Sequence, residues 1–133
     1  EVSMKMITFD EIIKELQPYH DKYSNYRLYV LIRDQYPPSV AINSTAHGAM
    51  GAEIMWRGIE DFEWWKLFCY KKVTCSLSDE KFIEIDKVLT KNKIRNLPQT
   101  EGRLNKAHIL TIVFPIDMTL RENKAFKYLP LYK

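Results

Sequence analysis

The chain has no apolar run near the roughly 18 to 20 residues that carry a helix across a bilayer. Its longest apolar stretches are Leu28 to Ile32, closed off by Arg33, and Ile109 to Ile116, interrupted by Thr111. Glu1 to Asp21 lacks the apolar segment of a secretory leader, so neither a signal peptide nor a transmembrane segment is expected. Because the first residue is Glu rather than Met, a trimmed core is one reading of the chain, and the expectation leaves room for a targeting tail outside it. Cysteine is scarce too: Cys69 and Cys75 are the two present, outside any Cys-x-x-Cys pair. If the segment around them were a strand, they would lie about 20 Å apart on one face, too far to bridge. Reduced thiols in a cytosolic or nuclear compartment are the expectation.

Recognisable chemistry is equally sparse. There is no Gly-x-Ser-x-Gly, P-loop or dinucleotide fingerprint, and only 4 glycines in all. His47-Gly48-Ala49-Met50-Gly51-Ala52 holds two of them without the spacing or the lysine of a phosphate loop. The 3 histidines, His20, His47 and His108, fall in different segments without the spacing of a zinc site. A Cys–His pair of His47 with Cys69 or Cys75 has no local support. No metal, cofactor or catalytic residue is expected, and the protein is read as a non-enzyme. The one enzyme reading with residues behind it is a small metal-dependent nuclease. Clustered Glu60, Asp61 and Glu63 with Lys66 would supply it; a solvated turn beside aromatic core residues is the plainer account.

What is present is apolar and aromatic mass with an uneven charge. The 133 residues are 46% hydrophobic and 13% aromatic, enough for one domain with a real core. Net charge is only +3, but residues 1–66 hold 7 basic and 10 acidic groups while residues 67–133 hold 13 and 7. Lys87, Lys91, Lys93, Arg95, Arg103 and Lys106 face a single acid, Glu101, over their stretch. They are the candidate contacts for an anionic partner: nucleic acid, a nucleocapsid, an anionic membrane surface, or the acidic half of another copy. A solvated loop is the alternative. Trp56, Trp64, Trp65, Phe126 and Tyr128 are the candidate self-association residues, since large rings contribute much buried area to a core or an interface.

Local patterns place these residues. Thr8-Phe9-Asp10-Glu11 is a capping box, and Phe9, Ile12, Ile13 and Leu16 follow helical spacing, which predicts a helix over about 9–17, stopped by Pro18. Tyr26 to Arg33 predicts a strand, ended by Pro37 and Pro38. A small-residue helix is predicted from a cap at Asn43 or Ser44 to Arg57, with Gly58 as its stop. Residues 59–77 read as a turn or short helix and then a strand from about Trp64 to Leu77. Ser78 to Lys81 reads as a turn, 82–89 as a strand with helix as the alternative, and 92–106 as a basic loop. His108 to Asp117 is a strand, with Pro115 implying an edge or a bulge at its end. The expected fold is one α+β domain over 1–133: a mostly antiparallel sheet with about three helices packed against it.

This order resembles the core of a rhabdovirus matrix protein over residues 26–118. The residues behind the resemblance are Tyr26 to Arg33, Tyr36-Pro37-Pro38, Ala41 to Trp56, Phe62-Glu63-Trp64-Trp65-Lys66-Leu67-Phe68, the basic 87–106 connection and His108 to Asp117. The lysine-rich N-terminal arm of animal-virus members is absent, and Pro37-Pro38-Ser39 runs into Val40 rather than completing Pro-Pro-x-Tyr. A plant-infecting member or a trimmed core fits both departures. The resemblance implies a viral structural protein that forms homo-oligomers, condenses nucleocapsid and links it to membrane. Its location would be the virion and the host cytoplasm, with the nucleus as a further compartment. An RNA- or DNA-binding regulator is the competing reading.

Overall fold

The computed structural model describes residues 6–133. The capping box forms: Thr8 Oγ1 accepts the Glu11 N–H at 3.2 Å, and Glu11 accepts the Thr8 N–H at 3.4 Å. The helix it starts, α1 (Phe9–Tyr23), runs through Pro18 instead of stopping there. Its C-terminal half is held by packing, with Tyr23 buried and Tyr19 stacked on Trp64 at 5.0 Å, and such anchoring outweighs the single hydrogen bond a proline forfeits.

After β1 (Tyr26–Arg33) comes α2 (Pro38–Trp56), which begins with Pro38 in its first turn, earlier than the expected Asn43 or Ser44 cap. Proline suits a first turn because its missing N–H has no partner there anyway. The stop is where the sequence put it, with Gly58 at φ +85°. Residues 59–77 divide differently from expectation. Glu60–Phe68 is a helix, α3, with Glu60, Asp61 and Glu63 in its first turn, where carboxylates oppose the helix dipole. The strand β2 begins only at Lys72 and ends at Leu77. Ser78 is an N-cap rather than part of a free turn: its hydroxyl accepts the Lys81 N–H at 3.3 Å and opens α4 (Asp79–Lys91). The predicted strand over 82–89 is therefore helix, burying Phe82, Ile85 and Leu89. The predicted loop contains a strand, β3 (Asn96–Glu101), which tolerates Pro98 because it is an edge. The last strand is β4 (Ala107–Asp117).

The sheet order is β2-β1-β4-β3. β1 pairs parallel with β2, while β4 is antiparallel to both β1 and β3. The domain is thus α+β with a mostly antiparallel sheet, with four helices against it rather than about three. β4 is central, so Pro115 marks the bulge and not an edge. Arg27 faces Ile116 but Tyr29 faces Val113, which leaves one extra residue on β4 beside the proline.

Both faces of the sheet are covered. Leu28, Val30, Ile32, Leu110 and Ile112 pack with residues of α1, α2 and α3. Tyr29, Leu31, Cys75 and Val113 pack with α4 and with Phe126 and Leu129 of the C-terminal segment. That segment finishes as a short rung on the β2 edge: the Ser76 N–H donates to the Pro130 carbonyl at 3.0 Å and the Tyr132 N–H to the Thr74 carbonyl at 2.9 Å.

α2 lies over β4 and β3, and it gets close because position 48 has no side chain. A Cβ there would stand 2.7 Å from Ile112 Cγ1. Gly51, one turn on, faces open space. Gly48→Ala is expected to destabilise by about 1–3 kcal/mol, since a methyl group would be forced against the core. Gly51→Ala is expected to stabilise by roughly 0.5–1 kcal/mol by reducing the freedom of the unfolded chain. Urea midpoints of the two variants, moving in opposite directions, are the check.

Candidate binding surface

The fold distributes the sequence-nominated residues unevenly. Trp56, Trp65 and Phe126 are 5%, 2% and 1% exposed, so their rings are core. Trp56 sits edge-on to Phe62 and Phe114, and Phe126 lies against Tyr29. Trp64 is half-buried, stacked between Tyr19 and Phe68. Of the five, only Tyr128 stands out into solvent, at 83% exposed.

The basic residues are all exposed but do not form one patch. Lys87 and Lys91 are on α4, and Lys93 is in a left-handed turn just after it. Arg95 lies over the Phe114 ring at 5.5 Å. Arg103 and Lys106 are beyond the far end of β3, about 20 Å away along a strand of six residues. Lys93 and Arg95 share a cleft of about 670 Å³ with Glu60, Asp61, Asp117 and Glu122, so their immediate surroundings are mixed in charge rather than basic.

The acidic cluster is already engaged. Glu60 accepts from the Trp64 indole N–H at 3.4 Å, and Asp61 accepts from the Tyr23 hydroxyl at 2.5 Å. Glu63 accepts the Gly58 N–H at 2.9 Å and pairs with Lys66 at 3.0 Å, which in turn donates to Glu53 at 2.7 Å. The Glu63 carboxyl is held below its usual range, first by the Gly58 N–H and then by Lys66. Burial, followed by the Asp61 hydrogen bond, raises the Tyr23 hydroxyl, and burial pushes Tyr26 up to about 12. The segment expected to turn into a strand at about Trp64 is helix there, with Trp65 inside. No cluster of metal-binding side chains occurs among the described residues.

Cys75 is buried, and burial pushes its thiol up to about 11. Cys69 is half-buried, with Sγ 3.1 Å from the Tyr26 carbonyl. His47 lines a small polar recess with Ser44, Gln99, Thr100 and Glu101.

The outer face of α2 stands apart. No residue from Pro38 to Ala52 carries a formal charge. The inner stripe, Ala41, Ser44, Gly48, Ala52 and Trp56, is buried. Ile42, Met50, Ile54 and Met55 on the other sides remain 68%, 69%, 68% and 64% exposed. A surface helix ordinarily places charges opposite its buried stripe; here the exposed polar residues on the outer side include Asn43 and His47. The first charged residues, Glu53 and Arg57, form an i,i+4 pair at 3.5 Å and add no net charge to the face.

No family model matches the chain and no curated protein matches it. Twelve solved chains are similar to it. One is a protein of unknown function from Agrobacterium tumefaciens strain C58, 13% identical, superposing with a TM-score of 0.60 over 82% of this chain and 98% of the other. That likeness is one of fold. No helix among the described residues is long and apolar enough to cross a membrane.

His108 carries the pH dependence expected near neutrality. Its Nε2 lies 3.0 Å from the Leu110 carbonyl and 2.9 Å from Thr111 Oγ1, with Phe82 edge-on to the ring at 5.0 Å. Burial lowers its pKa, partly offset by the Leu110 carbonyl. Below the ordinary histidine value of about 6.5 the unfolded chain therefore binds the extra proton first, and stability falls with falling pH. Denaturant titrations between about pH 7.5 and pH 5 should show that slope, and His108→Gln should flatten it.

Proposed function

We propose that this domain works by self-association rather than by catalysis, and that the outer face of α2 is where a second copy docks. The observation that carries the reading is the uncharged helix surface centred on Ile42, Met50 and Ile54. Each such side chain, once fully buried, contributes roughly 1.5–3 kcal/mol. Several from each partner are comparable with the about 4–15 kcal/mol cost of association, which describes a reversible, concentration-dependent contact. A second copy is favoured over a charged partner because the face is neutral. A neutral apolar face complements itself across a two-fold axis, as an isologous interface requires.

A matrix-type role, the setting implied by the resemblance to rhabdovirus matrix cores, would use such a contact to build a layer. Lys87 and Lys91 on α4, with Arg103 and Lys106 at the far end of the β3–β4 hairpin, would then be separate basic points of contact for nucleocapsid, nucleic acid or anionic lipid. Among the described carboxylates, Glu60, Asp61 and Glu63 all hold structural hydrogen bonds, which favours the non-catalytic reading over a nuclease.

Sedimentation velocity on nuclease-treated protein tests the proposal. The mass should grow with concentration and, because the face is apolar, persist at high salt. Met50→Lys and Ile54→Lys should each return the protein to monomer without changing its circular dichroism. A distribution unaffected by both substitutions would sink the α2 interface, and assembly that dissolves in high salt would move it to the charged surfaces.

A further inference from the structure

α2 packs mainly on β4 and β3, so the β2 end of the same sheet face lies farther from it. A trough of about 620 Å³ lies there, within the range of small-ligand sites. Leu28, Val30 and Ile112 line it from the sheet, Ala46 and Ala49 from α2, and Phe62 and Trp65 from α3. A second recess of about 190 Å³ beside Ile32 and Tyr132 shares Ile42, Thr45 and Thr74 with it, so the two hollows adjoin.

Three features at the α3–β2 end of the trough are unexplained by folding alone. The indole N–H of Trp65 is buried and has no hydrogen-bond partner among the described residues, a rare and costly condition. Tyr70 is held at φ +59°, a left-handed conformation unusual for a bulky residue. That turn sets the Tyr70 ring 5.3 Å from Trp65 and 3.3 Å from Lys72 Nζ. Lys72 is the third. It donates to the Tyr70 carbonyl at 2.8 Å and forms no salt bridge among the described residues. Although much of the residue is exposed, desolvation lowers its pKa. Lys66 at the same rim is neutralised by Glu53 and Glu63. The uncompensated charge at this end of an apolar trough is therefore positive.

We infer that the trough binds a linear amphiphilic carboxylate, its acyl chain lying along β1 and β2 between α2 and α3 and its head group at Lys72. An anion is selected because a cationic head would meet Lys72. A flexible chain is selected because the two adjoining recesses offer an elongated apolar surface, where a compact ring system would fill one end only. Ile42 of the docking face lines both recesses, but Met50 and Ile54 line neither, so substitutions at those two test the interface apart from this site.

Isothermal titration with decanoate, below its micellar concentration, tests this on the full chain. Saturable binding of one decanoate per chain is expected, with no saturable binding of decylamine. Lys72→Gln should weaken decanoate binding at least tenfold, and Ala49→Phe, at an exposed position whose ring would fill the trough, should abolish it. Ile54→Lys should bind decanoate like the parent, which separates this site from the α2 interface. Failure of decanoate to saturate, equal binding of decylamine, or undiminished binding by Lys72→Gln would each overturn the assignment. Because the first two comparisons use the unaltered protein, they decide the matter even if a variant fails to fold.

Discussion

The close seat of α2 on the sheet, made possible by the missing side chain at Gly48, is the constraint from which the rest of the architecture follows. With no Cβ there, the helix backbone comes down onto Ile112 and Gln99, and the helix is committed to the β4–β3 side. A methyl group would push it outward and cost the contacts of Ala41, Ser44 and Ala52, which are small enough only for a helix at that distance. Once α2 is fixed there, Leu28 and Val30 of β1 share their cover with residues of α3. That short helix can supply Phe62 and Trp65 but cannot span the whole strip. The trough is the space between two helices whose positions are each set by something else.

The same constraint explains why α2 has apolar residues on both sides. Its inner stripe is made of small residues because of the close approach, so the burial it provides per turn is modest. Its outer residues, Ile42, Met50 and Ile54, contribute nothing to the monomer core. Leaving them in water is a poor arrangement for a helix that functions alone. Charged residues would have cost the fold nothing at those positions, so the uncharged run from Pro38 to Ala52 points to a requirement outside the monomer.

How far the sequence foretold this varies with how local the cause is. β1 and β4 were legible because β-branched and aromatic residues run unbroken there, and both strands are nearly all buried. α1 was legible at its start, where the capping box is a local device, and misjudged at its end, where Tyr19 on Trp64 is a contact across the fold. α4 carried its signal in plain sight. Ser78 is a cap followed by acids, and Phe82, Ile85 and Leu89 recur at helical intervals. Ile83 and Val88 beside them blurred the period, so the segment fitted strand as well as helix. β3 is polar and contains Pro98, and only its place at the sheet edge makes it a strand. The residues of the surface were harder still. Composition marks Trp56, Trp65 and Phe126 as large rings, but whether a ring joins a core or an interface depends on partners distant in sequence. The uncharged stretch of α2 was visible as small and apolar; that Met50 and Ile54 face outward required knowing which side meets the sheet.

The outer face of α2 and the trough beneath it are not independent surfaces, because Ile42 is exposed on one and lines the other. Anything that moves α2 relative to α3 acts on both. A second copy docking on α2 adds apolar mass above the trough, while an occupant adds apolar mass below the same helix. If the proposed docking and the proposed occupancy both act through α2, any coupling free energy between them must by linkage have the same sign and size in both directions. If occupancy braces α2 in the position that a second copy recognises, then association must tighten the occupant to the same degree. If it displaces Ile42 from the outer face, each event must weaken the other equally. The fold thus confines any communication between the two surfaces to a single helix, whose freedom to shift is limited by the contact at Gly48.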